Sequence, residues 1–285
     1  MSFSINTNVT ALNVLFNLQN NQTKMSNVSN QLSSGYKINS AADDAAGLAI
    51  ANKMNNQVTG LNQAGQNAQD GLSMLQTMEG GISSIQSMLG RMRQLAIESS
   101  NGTETGSDRT QIVTELQQLR SEISRTATTT QFNTQTLLTG LAGASGKIQF
   151  QVGANKGQRI TLAAANANLR ATALGITGSG VTALGASGLS GIAQASALIG
   201  VLDKALSNVS QFRANVGAVE DRLNFAVTNL GTESNNLSTA QSRIMDTNMA
   251  SAMTNFTKSQ ILVNAGISML AQANQMPGMV LKLLG

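Results

Sequence analysis

The amino-acid sequence predicts a mainly α protein: long antiparallel helices packed as a coiled-coil bundle, with one small β-hairpin. Three observations carry that prediction. Apolar residues recur every seven positions over two long stretches. One proline, Pro277, leaves almost the whole chain free to form uninterrupted helix. Aromatic residues make up only 3% of the chain, so its interior must be filled by Leu, Ile, Val, Met and Ala. That supply suits helix-to-helix packing.

The elements follow in chain order. An amphipathic stretch carries Ile5, Val9, Leu12 and Phe16, then Leu18, Met25, Val28 and Leu32, and Ser33-Ser34-Gly35 breaks it. Ser40-Ala41-Ala42-Asp43 has the spacing of a capping box and predicts the start of the first long helix. In that helix Met54, Leu61, Ala68, Leu75, Ile82, Leu89 and Ala96 step by seven, and Ala64, Met78, Ile85 and Met92 fill the second seam position. Asn101-Gly102-Thr103 and Gly106-Ser107-Asp108 predict a turn, after which Ile112, Leu116, Leu119 and Ile123 mark a return helix. Lys147 to Val152 alternates polar and apolar, residues 153–157 turn, and Arg159 to Leu162 resumes the alternation, which predicts the hairpin near 147–162.

Residues 171–191, rich in Gly, Ser, Ala and Thr, read as a loose connection. Beyond it Leu202, Val209, Val216, Leu223, Leu230, Leu237 and Ile244 step by seven, with Ala205, Phe212, Val219, Ala226 and Ala240 in the second position and Glu233 as the one break. At the rise of an α-helix, each long helix spans about 60–70 Å. The C-terminal stretch places Met249, Met253, Phe256, Val263, Ile267 and Leu270 on one face, and Ile261, Leu262, Ala265, Met269 and Ala273 on another. A helix apolar on nearly all sides is buried, here by copies of itself.

Composition narrows the function. With no His and no Cys, zinc-finger chemistry, thiol catalysis, disulfides and His-based acid–base triads are ruled out. No nucleophile has a plausible base, so no enzyme site, metal site or cofactor is expected. The net charge is +4, but only 11% of residues are charged and no Lys/Arg run occurs, which argues against nucleic acid. No near-continuous apolar run of about 20 residues is present, and the polar, Asn-rich start is unlike a secretory signal peptide. Asp43-Asp44 reads as a favourable helix start. Arg91 and Arg93 read as solvated charges on a helix face, with anion recruitment as the alternative.

The run from Leu32 to Ala51, with Ser33-Ser34-Gly35-Tyr36 and Ala41-Ala42-Asp43-Asp44-Ala45-Ala46-Gly47 at its centre, closely resembles the N-terminal signature of bacterial flagellins. So do Ile5-Asn6-Thr7-Asn8, Asp70 to Thr77 and Gln131-Phe132-Asn133. Toward the other end, Ser242-Arg243-Ile244, Gln260-Ile261-Leu262, Met269 to Asn274 and Val280 to Leu284 match as well. The resemblance covers roughly residues 1–165 and 195–285, with the motifs in the family's order. Met245-Asp246-Thr247-Asn248-Met249 departs from it, since the family usually carries more acidic residues there.

The resemblance implies a short flagellin without the outer variable domains. Residues 1–45 and 245–285 would pair as a coaxial helical core, and 46–244 would form a rod-like domain. It implies a polymerisation core drawn from Ile5, Leu12, Phe16, Phe256, Val263, Ile267 and Leu270. The implied partners are further copies of the chain, flagellar cap and hook-associated proteins, and an export chaperone at the C-terminal helix, with an extracellular filament reached by type III export. It also implies recognition by a vertebrate Toll-like receptor through Arg91, Leu95 and Glu115, with Gly90 and Gln94 departing from many relatives. The competing readings are a hook-associated junction protein and a membrane-active secreted effector.

Overall fold

The computed structural model describes residues 7–140, 147–163, 167–185 and 189–284. Among these the elements run α1 (Val9–Ser34), α2 (Ala45–Ser99), α3 (Gly106–Thr129), β1 (Gln131–Phe132), β2 (Gln135–Thr136), β3 (Lys147–Gln151), β4 (Arg159–Ala163), α4 (Gly178–Thr182), α5 (Leu189–Met245) and α6 (Met249–Leu284). The chain separates into two compact units, Met1–Val58 with Asn235–Gly285, and Thr59–Ser234. These boundaries lie inside α2 and α5, whereas the resemblance implies a division near residues 45 and 245. A helix carries its hydrogen-bond ladder straight across such a boundary, so no linker marks it in the sequence.

The second unit holds the predicted bundle. Side-chain bonds between α2 and α5 fix their antiparallel register: Ser234 Oγ donates to Asn62 Oδ1 at 2.8 Å, Arg213 Nη2 lies 2.9 Å from Glu79 Oε1, and Arg93 Nε lies 2.6 Å from Asp203 Oδ1. Between them the two heptad ladders meet. Leu75, Met78, Ile82, Ile85, Leu89 and Met92 of α2 are fully buried with Leu202, Val209, Val216 and Leu223 of α5. Leu116 and Ile123 of α3 close the third side of the same core. At the Glu233 break, Ser234 takes the inward position, so the seam slips by one residue and Glu233 stays in solvent.

Helix α3 starts on a complete capping box. Thr105 Oγ1 accepts from Asp108 N, and the Asp108 carboxylate accepts from Thr105 N. The predicted hairpin forms with Lys147 opposite Ala163 and Gln151 opposite Arg159. Its inner face, Ile148, Phe150, Ile160 and Leu162, is buried, and the alternate residues are exposed. Gly71 lets this face reach the helix: a Cβ there would lie 2.7 Å from the Phe150 ring.

Three sequence expectations are corrected. The capping box at Ser40 closes a turn rather than opening α2. Asp43 Oδ2 accepts from the amides of Asn39 and Ser40, while Asp44, whose Oδ1 accepts from Gly47 N at 2.8 Å, stands at the helix start. The consecutive carboxylates thus cap two successive turns. Next, residues 171–185 are not a loose connection. Ala171, Leu174, Ile176, Val181 and Leu184 are buried against the bundle, α4 and a 3-10 turn (Ala183–Gly185) form within the segment, and Arg120 Nε donates to the Ile176 carbonyl. Its small residues masked five well-spaced apolar anchors. Last, a second hairpin, β1–β2, went unpredicted because two-residue strands are too short to alternate. Its turn holds Asn133 and Thr134 at φ 47° and 65°, the positive values a two-residue hairpin loop demands.

Candidate functional site

The first unit is built differently. Helices α1 and α6 run antiparallel: Asn8 Nδ2 donates to the Ala273 carbonyl at 2.8 Å, and Gly266 lies beside Leu18. Beyond the α1 C-terminus, Lys37 N donates to the Met245 carbonyl and Thr247 N to the Gly35 carbonyl, clasping the two connecting segments together. The run 245–249, where the motif departs, is this joint. Ser242 Oγ donates to Asp246 Oδ2, and Asn248 Oδ1 caps α6 by accepting from Ser251 N.

The inward positions of α6 are Ala252, Phe256, Ser259, Val263, Gly266, Leu270 and Ala273, spaced alternately four and three apart. Four of these seven are Ala, Ser or Gly. Small side chains bring the two helices close together, and they leave the large apolar residues outside. Val9, Leu12, Leu15 and Phe16 of α1 are exposed, as are Met253, Ile261, Leu262, Ile267 and Met269 of α6. The pattern is the reverse of a soluble coiled coil, which hides its large apolar residues in the seam.

This splits the expected polymerisation core. Leu12, Phe16 and Ile267 lie outward, with Phe16 64% and Ile267 52% exposed. Val263 is buried in the α1–α6 seam, and Phe256 and Leu270 are half-buried there. Met253 and Ile267 therefore do not share a face with Val263, contrary to the sequence expectation; the seam phase, set by the small residues, separates them. Ile5 lies outside the described residues. Leu15 also belongs to the outward set, and its spacing of three from Leu12 is the sequence signal for it.

The three receptor candidates meet on the second unit but are not equivalent. Arg91 Nη2 lies 2.8 Å from Glu115 Oε1, joining α2 to α3, and both side chains are about half exposed. Leu95 is 2% exposed and belongs to the core, so although it shares a face of α2 with Arg91 and lines the same cleft, it offers little surface to a receptor. The four-residue spacing is right, but α3 covers the leucine. Arg91 and Arg93 are solvent-exposed on α2, and each forms an ion pair to a neighbouring helix. No helix among the described residues is long and apolar enough to cross a membrane.

Comparison with known proteins gives the same assignment along the whole chain. The bacterial flagellin N-terminal helical region matches residues 5–142, and the bacterial flagellin C-terminal helical region matches residues 199–284. A flagellin of Halalkalibacterium halodurans is 44% identical, over 98% of this chain and 99% of its own length. The flagellar filament 30.7 kDa core protein of Treponema maltophilum is 41% identical over 93% of each chain. The solved structure of a putative flagellar hook-associated protein from Vibrio parahaemolyticus shares the fold, with a TM-score of 0.59 over 72% of this chain and all of its own, at 17% identity. With both terminal regions matched in order and relatives aligned from end to end, this chain belongs to the bacterial flagellin family.

Proposed function

We propose that the chain polymerises into a flagellar filament through the outward apolar faces of its terminal helix pair. Flagellins are structural subunits, and the observation that carries the finer reading is the placement of Leu12, Leu15, Phe16, Ile261, Leu262, Ile267 and Met269 in solvent on two helices already paired with each other. Burying each such side chain is worth about 1.5–3 kcal/mol, a gain the single chain leaves unrealised. Between Val9 and Ser34 the only charge is Lys24, so the surface offers little to repel a second copy. The terminal pair would then be the inner core of the polymer and the second unit its rod.

The hook-associated reading shares this fold but is disfavoured by the full-length identity to filament proteins. A membrane-active role would use the same faces, and liposome co-sedimentation separates it from a polymer. Export as an unfolded chain, a chaperone on α6 and contact with cap and hook-associated proteins follow from family membership as further parts of the proposal. Recognition by a vertebrate Toll-like receptor would fall on the exposed Arg91–Glu115 pair, with Leu95 supporting it from below.

The deciding experiment is Ile267→Asp. A carboxylate at this position stays hydrated in the soluble chain and must be desolvated in a polymer. The expected outcome is loss of filaments by negative-stain microscopy with helicity unchanged. Filaments of normal length would refute the assigned surface.

A further inference from the structure

The turn between α2 and α3 carries the chain's single Asn-Gly pair, Asn101-Gly102. Both residues are exposed. Asn101 N donates to the Glu98 carbonyl, and Glu104 N donates to the Asn101 carbonyl, whereas the Gly102 amide makes no bond to the protein. The Asn101 side-chain amide is held only by Thr103, its Nδ2 donating to Thr103 Oγ1 at 2.7 Å.

Nothing in the fold requires glycine at position 102. Its φ is not positive, and an added Cβ would meet no atom within 4 Å. What the missing side chain provides is an unhindered backbone nitrogen, without a protein hydrogen bond, next to an exposed asparagine amide.

We propose that Asn101 is a self-modifying site that converts to aspartate and isoaspartate. The Gly102 nitrogen loses its proton and attacks Asn101 Cγ. The Cγ–Nδ2 bond breaks, ammonia leaves, and a five-membered succinimide remains. Water then adds to either ring carbonyl. Opening at Cγ gives aspartate. Opening at the original main-chain carbonyl carbon gives isoaspartate, with the chain rerouted through Cβ and the former main-chain carbonyl turned into a carboxylate.

Arg109 shapes the second outcome. This side chain is 2% exposed and donates from Nε to the Ser99 carbonyl and from Nη2 to the Asn101 carbonyl, each at 3.1 Å. The oxygen that Nη2 already bonds is the one that becomes a carboxylate oxygen in isoaspartate. A guanidinium polarises that carbonyl toward water and pairs with the anion that forms. Either product adds a negative charge to a turn whose backbone already bonds Glu98 and Glu104.

The test is ageing of the purified full-length chain at mildly alkaline pH. Peptide mass mapping follows amide-to-acid conversion, and labelling by an isoaspartate-specific carboxyl methyltransferase follows the rerouted backbone. The expected result is conversion confined to the peptide holding residue 101, most of it methyl-accepting, with the native band shifting toward acid. Gly102→Ala, which the turn accommodates, should suppress both signals at unchanged circular dichroism. Conversion spread over the many helical asparagines, equal conversion in wild type and Gly102→Ala, or no conversion at all would each overturn the proposal.

Discussion

Phe212 and Phe16 are the same side chain in two settings. Phe212, in the second unit, is 1% exposed, and Phe16, on α1, is 64% exposed. The contrast holds for the units as wholes. The continuous hydrophobic core lies entirely between Ala68 and Leu223. Among the described residues, only Ile97 and Phe225 of the large exposed apolar side chains belong to the second unit; all others are in the first. One unit buries its apolar surface within a single chain, and the other places small residues in its seam and leaves its large apolar ones exposed. If the proposed polymer forms through those faces, folding stability and assembly draw on separate parts of the sequence.

The largest effect expected from this contrast is in the phenylalanine pair itself. In the soluble chain, Phe212→Ala should cost about 3–5 kcal/mol by denaturant melts, as a cavity in a close-packed core does. Phe16→Ala should stay within about 0.5 kcal/mol of wild type, as for an exposed site. Equal losses would erase the distinction between the units.

The tightness of the second unit can be sharpened with two helical glycines. Gly71→Ala drives a methyl group into the Phe150 ring and should destabilise by about 1–3 kcal/mol. Gly65→Ala meets open space and should stabilise by about 0.5–1 kcal/mol. Thermal melts of the two variants should move in opposite directions.

Smaller still is the Arg213–Glu79 pair, whose side chains are 43% and 39% exposed. Arg213→Ala should cost less than about 1 kcal/mol, and added salt should shrink the difference. A loss that salt does not change would mean packing by the arginine stem rather than charge.

The smallest effect touches both units alike. The Ser40 amide, with that of Asn39 and the Ser40 hydroxyl, holds the Asp43 carboxyl below its ordinary value of 3.8. The Thr105 hydroxyl and amide do the same for Asp108. A carboxyl whose folded value is depressed contributes stability that is present above its unfolded value and is lost as pH falls through the folded one. Amide protection near residues 39–44 and 105–108, measured relative to the intrinsic exchange rate at each pH, should be unchanged above about pH 4 and should fall, as both turns loosen, only below it. Loosening near neutral pH would contradict the assigned bonds.

Much of the fold was legible because heptads and alternation are local, repeated signals. Leu75 to Met92 and Leu202 to Leu223 declared a seam, and Ile148 with Phe150 declared a hairpin face. The composition excluded His and Cys chemistry outright, and the motifs at residues 32–51 carried the family. Signals that needed a partner in space were not legible. Leu95 has the spacing of a surface pair with Arg91, yet α3 lies over it. Ala171 to Leu184 have the composition of a loop, yet they close the bundle. On α6 the sequence shows an apolar surface nearly all round, and its spacing groups Ile267 with Val263, which the fold separates. Which side faces α1 was decided by the side that could come closest, where Ala252, Ser259, Gly266 and Ala273 leave room for a neighbouring backbone. Periodicity thus determines that a residue lies on a stripe, whereas burial depends on what covers the stripe, and only the tertiary structure supplies that.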